Sequence, residues 1–83
     1  MPAPLAVDLL VGRNIRTCRQ RLRMSQAELG RRIGVTARQI ERYENGARVG
    51  AGRLTELAQA LDVPMSRLFD HGARRGGIPG SAG

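Results

Sequence analysis

Lysine and tryptophan are absent from these 83 residues, and cysteine occurs once. Cys18 has no second thiol to join, so no intrachain disulfide forms, and the composition suits a reducing cytoplasm. One cysteine and one histidine, His71, fall short of a structural zinc site. Tyr43 and Phe69 are the only aromatics, so the core must be aliphatic, and the stacking platform of single-stranded RNA readers is missing. No apolar run approaches the ~20 residues of a membrane-spanning helix. Residues 5–11 come nearest to a signal segment, but Asp8 interrupts them and no basic stretch precedes them. A cytoplasmic protein with no membrane partner is expected.

Acidic residues are scarce as well. Seven stand against 14 basic ones, giving a formal charge of +7. Every basic residue is an arginine, whose planar fork of donors matches phosphate and guanine edges. A GC-rich genome would favour arginine over lysine too, but would not create the excess of base over acid. The carboxylates Asp8, Glu28, Glu41, Glu44, Glu56, Asp62 and Asp70 show no paired or metal-binding spacing, and there is no glycine-rich phosphate loop. His71 falls in a glycine-rich tail, poor ground for a catalytic base. The sequence predicts no enzyme, no cofactor and no metal.

A chain of this size holds one small domain. Residues 1–6, with two prolines, read as a flexible leader, residues 7–70 as the folded domain, and residues 71–83 as a disordered glycine-rich tail. From Val7 or Asp8 to Leu22, the spacing of Val11, Ile15, Cys18 and Leu22 predicts an amphipathic first helix. Ser25, three residues before Glu28, is a capping-box start for a second helix in which Ala27, Leu29, Gly30 and Ile33 face inward. Gly30 within it implies close approach of another helix, and Gly34 stops it in a left-handed turn. Thr36 caps a third helix with Ile40 and Tyr43 inward, ending at Asn45-Gly46. A fourth carries Leu54, Leu57, Ala58 and Leu61, and Pro64 opens a short fifth ending at Phe69. The fold class is all-α, five helices, with no strand pattern.

The third helix has a distinctive outer arc. Ala37, Arg38, Glu41 and Arg42 share one face, because residues three and four apart are neighbours on a helix. Arg38 or Arg42 can donate two bonds to guanine, Ala37 can meet a thymine methyl, and Gln39 lies beside them within reach of a base edge or a phosphate. Ser25-Gln26 opens the second helix, where free N–H groups and the helix dipole favour a phosphate. Arg19 and Glu44 are placed to pair across the edge of the core. Arg31, Arg32, Arg48 and Arg53 are candidates for flanking phosphates. An isolated helix with such a face would more often be merely solvated; the adjoining turn favours a reading helix.

These residues resemble the phage-repressor and Cro type of helix-turn-helix domain. The resemblance runs from Val11 to Phe69. Its marks are Ile15-Arg16-x-x-Arg19, Met24-Ser25-Gln26-x-Glu28-Leu29, Gly34-Val35-Thr36, Ile40-x-x-Tyr43-Glu44-Asn45-Gly46, and Leu57-Ala58-x-Ala60-Leu61-x-Val63 followed by Leu68-Phe69. It implies a lambda-repressor-like five-helix domain whose second and third helices read double-stranded DNA. Positions Ala37, Arg38 and Arg42 would face bases, Gln26 would touch phosphate and support the reading helix, and Arg19 would pair with Glu44. With Gln39 joining the base-facing group, the phosphate-facing set becomes Ser25, Gln26, Thr36, Tyr43, Asn45 and Arg48. One departure stands out: Val49-Gly50-Ala51-Gly52 lacks the usual proline and hydroxyl cap before the fourth helix.

The expected function is a sequence-specific transcriptional regulator, a repressor holding a near-palindromic operator as a homodimer. Val63, Met65 and Leu68 are the expected dimer interface. The alternative is a protein-interaction module, either an antitoxin contacting a toxin or a factor recruiting RNA polymerase, with the exposed part of the fifth helix as its contact.

Overall fold

The computed structural model describes residues 3–72, which form four α-helices and one 3-10 segment. They are α1 (Ala6–Arg21), α2 (Gln26–Ile33), α3 (Ala37–Glu44), α4 (Ala51–Ala60) and the 3-10 segment Met65–Phe69. No strand occurs among the described residues, and none of their helices is long and apolar enough to cross a membrane. The expected fifth α-helix is thus a single tight 3-10 stretch opened by Pro64. The tail expected to be disordered falls, from residue 73 onward, outside the described residues.

Local chemistry sets the boundaries of the central helices. The Ser25 hydroxyl accepts from the Glu28 N–H at 3.0 Å, and the Thr36 hydroxyl accepts from the Gln39 N–H at 3.1 Å. Each satisfies one of the amide donors that the first turn of a helix leaves unpaired. Only half of the expected capping box forms, because the Glu28 carboxylate turns instead to Arg32, 3.6 Å away. Gly34 ends α2 with φ of 78°, a left-handed conformation that glycine adopts without steric cost. α4 starts from Gly50 with no side-chain cap.

The core gathers Val11, Ile15 and Cys18 of α1, Leu29 of α2, Ile40 and Tyr43 of α3, Leu54, Leu57 and Ala58 of α4, and Met24, Leu61 and Leu68 from the connections and the 3-10 segment. Burying an aliphatic side chain of this size stabilises by about 1.5–3 kcal/mol. α3 packs against both α2 and α1, α4 packs on α2, and the 3-10 segment fills the space between α1 and α4.

Two inward assignments, and the neighbour expected at the buried Gly30, need correction. Leu22 is 47% exposed, because the chain reverses just after α1 through Arg23 at φ 56°, and Met24 is buried instead. Ala27 is also exposed. Gly30 does meet a close neighbour, but it is the turn: a Cβ there would lie 2.5 Å from the Val35 carbonyl oxygen. The comparable helix-to-helix approach is at Gly12, where a Cβ would press on the carbonyl oxygens of Tyr43 and Glu44 at the end of α3.

A buried asparagine ties the two ends of the domain together. Asn14 lies on the apolar stripe of α1, and its Nδ2 donates to the carbonyl oxygens of Leu68 at 2.9 Å and Asp70 at 2.7 Å. Its place among core positions signals a partnered polar group, since an unpaired buried amide costs free energy.

Candidate nucleic-acid interface

The outward face of α3 follows from what its inward face is fastened to. Ile40 is fully buried, Tyr43 is buried beside it, and the Glu44 side chain has no exposed surface. At about 100° per residue, Arg38 and Arg42 fall 40° apart on the side opposite these three. Both are exposed, as is Glu41. Ala37 and Gln39 are half-buried on the flanks. Among the described residues, Arg38, Glu41 and Arg42 have no ion-pair or side-chain hydrogen-bond partner.

Glu44 fastens the opposite side of α3 to the rest of the domain. Arg19 Nε donates to Glu44 Oε2 at 2.6 Å and its Nη2 to Oε1 at 3.1 Å, a two-pronged pair between α1 and α3. Gln26 Nε2 donates to Oε1 at 3.1 Å, and Arg16 Nε reaches the same oxygen at 3.4 Å. The carboxylate is therefore held from two other helices, α1 and α2. Burial by itself raises the Glu44 carboxyl, but the bonds from Arg19 and Gln26, the Arg19 charge and the Arg16 bond outweigh it, holding the group below its ordinary value. The Arg19 guanidinium also donates to the Met24 carbonyl oxygen at 2.9 Å, fixing the α1–α2 turn. A buried pair of this kind specifies geometry more than it adds stability. Here it sets the rotation of α3 about its axis.

The remaining candidates divide into presented and committed side chains. Ser25 and Thr36 are exposed at the starts of α2 and α3, each hydroxyl accepting its capping N–H. Gln26 is half-buried with its amide nitrogen given to Glu44. Asn45 is exposed at the C-terminus of α3, whereas Tyr43 is buried with only 8% of its surface accessible. Arg48 is largely exposed, 3.6 Å from Asp8. Arg31 is exposed, and Arg32 pairs with Glu28. Arg53 is committed: its Nη1 donates to the Ile33 carbonyl oxygen at 3.0 Å and to Glu56 Oε1 at 2.7 Å, so it caps the end of α2 rather than standing free for phosphate.

Sequence reasoning missed Asn14, the Arg53 cap and Arg16 as a further donor to Glu44. One residue of the expected dimer interface needs correction. Leu68 is fully buried, because Asn14 holds its carbonyl and its side chain fills the space between α1 and α4, so it cannot face a second chain. Val63 is half-buried against the core, while Met65 is 38% and Phe69 40% exposed.

Comparison with known proteins agrees with this geometry. A family model described as helix-turn-helix matches residues 15–68. The chain is similar to an uncharacterized HTH-type transcriptional regulator of Sinorhizobium fredii, 53% identical over 66 residues that cover 78% of this chain and 46% of that one. It spans about half the length of the curated relatives it matches. Among solved structures it resembles the P22 c2 repressor in complex with a synthetic operator, at 30% identity and a TM-score of 0.67, covering 71% of this chain and 91% of that one. Hydroxypropylphosphonic acid epoxidase from S. wedmorenis shares the fold alone, with 19% identity and a TM-score of 0.74 over 80% of this chain and 36% of that one. The motifs, the capped helix pair and these matches agree: the chain belongs to the helix-turn-helix family of phage-repressor and Cro type.

Proposed function

We propose that this domain is a sequence-specific reader of double-stranded DNA in a transcriptional regulator, and that it represses by occupying a near-palindromic operator as a dimer. The observation that carries the reading is the outer face of α3, where Arg38 and Arg42 stand exposed and unpaired on a helix whose rotation is fixed by the buried Glu44. Such a helix fits the major groove, with its side chains against base edges. Ser25 and Gln26 at the start of α2 and Thr36 at the start of α3 would meet phosphates, with Asn45 and Arg48 beside the backbone. Tyr43 contributes there only through its small accessible edge. That relatives are named transcriptional regulators, and that the P22 c2 repressor was crystallised with an operator, supports the same reading.

In the dimer, Met65 and Phe69 with the edge of Val63 supply the apolar contact in place of Leu68. Half-sites then lie about 34 Å apart, one turn of the duplex. Selection of bound duplexes from a random pool tests the proposal: a two-fold symmetric motif with that spacing is expected. Enrichment of no sequence, together with equal affinity for all duplexes, overturns it.

A further inference from the structure

The α3 face says more than that bases are read; it says which base. Resting on the reading of α3 as the groove-entering helix, we infer that each half-site carries two guanines about two base-pair steps apart, one bound by Arg38 and the other by Arg42. Three observations converge. Arg38 and Arg42 occupy the centre of the outward face, opposite Ile40 and Tyr43, and both are exposed. Neither guanidinium is spent within the described residues, whereas Arg16, Arg19, Arg32, Arg48 and Arg53 each have a carboxylate partner. Glu44 on the opposite side of α3 is bound by donors from α1 and α2, which holds the helix with this face outward.

The chemistry selects guanine. Its major-groove edge alone offers two acceptors, N7 and O6, spaced for the paired donors of a guanidinium. Adenine offers one acceptor and one donor there, and an arginine has no acceptor to meet that donor. The spacing follows from helix geometry. Four residues advance about 6 Å along a helix, close to two base-pair steps of about 3.4 Å. Glu41 lies on the same face and accepts only, so beside a guanine it suits the amino group of a cytosine.

The test uses the full chain. Selected duplexes are sequenced for the wild type and for Arg38→Ala and Arg42→Ala, both surface changes whose folding is checked by thermal melting. Two guanine positions about two steps apart are expected in each half-site. Each variant should relax one position, with guanine preference there falling at least fivefold, while the other position is retained. As a measurement independent of the variants, 7-deazaguanine replaces guanine at each position of a selected site. It removes the N7 acceptor but keeps base pairing, so affinity should fall at those two positions and at no other guanine in the half-site. A selected motif lacking the two guanines, or one unchanged in both variants, overturns the inference while leaving the DNA-reading function standing. Enrichment of no motif overturns both.

Discussion

Placing a methyl group on Gly12 should weaken the domain, although glycine is a poor helix former. The substitution Gly12→Ala restores ordinary helix propensity in α1, a gain of about 0.5–1 kcal/mol by itself. Against this, the new Cβ would sit 2.7 Å from the Glu44 carbonyl oxygen and closer still to that of Tyr43. Carbon and oxygen ordinarily approach to about 3.3–3.6 Å, so α3 must retreat by roughly 0.6 Å or more. Both obstructing atoms are backbone, so no side-chain rotation relieves the clash. Overpacking costs about 1–3 kcal/mol, and with three backbone atoms under 3.0 Å this case belongs in the upper part, about 2–3, which leaves a net loss of about 1–2.5 kcal/mol. The retreat also stretches the 2.6 Å bond from Arg19 to Glu44. Gly52→Ala is the matched control: it is helical too, in α4, with nothing within 4 Å of the added atom, and should stabilise by about 0.5 kcal/mol. Urea unfolding followed by helical circular dichroism reads both. If the two variants shift the midpoint in the same direction, the close approach of α1 to α3 does not govern the outcome, and the reasoning fails.

Three further outcomes are expected. Because the Glu44 carboxyl is held below its ordinary value in the folded chain, its contribution is present above the unfolded carboxylate value of about 4.3 and is lost as pH falls through the lower folded one. Urea midpoints measured from neutral to acid pH should therefore fall in that window, less steeply in Glu44→Gln. Asn14→Ala leaves the Leu68 and Asp70 carbonyl oxygens without their donor and should cost about 1–3 kcal/mol, with faster amide exchange in the 3-10 segment than in α2. Arg53→Ala should lower stability by about 1 kcal/mol but leave the salt dependence of DNA affinity unchanged, whereas Arg48→Ala should reduce that slope by about one. Equal slopes for the two variants would return Arg53 to the phosphate-facing group.

What was legible in the sequence was chiefly what neighbouring residues decide among themselves. Ser25 and Thr36 cap because a hydroxyl accepts an amide three residues on, and Gly34 turns because it lacks a Cβ, so α2, the turn and α3 could be read directly. The pairing of Arg19 with Glu44 spans 25 residues, and only position and family resemblance together point to it. Contacts without a local signature were harder. Asn14 meets a carbonyl 54 residues away, and that one anchor turns Leu68 from an expected surface residue into a core residue. Arg53 looked like any surface cation because the carbonyl it caps belongs to another helix. Leu22 fitted the apolar period of α1, but the period says nothing about where the chain reverses.

Because a single sealed carboxylate receives hydrogen bonds from two separate helices, α3 has little freedom to roll or slide once the domain has folded. If α3 reads DNA as proposed, fitting a target would then draw on the long arginine side chains and on bending or twisting of the duplex. Selectivity would in that way extend to base pairs that no atom of the protein touches, through how readily each sequence deforms to meet a fixed rod.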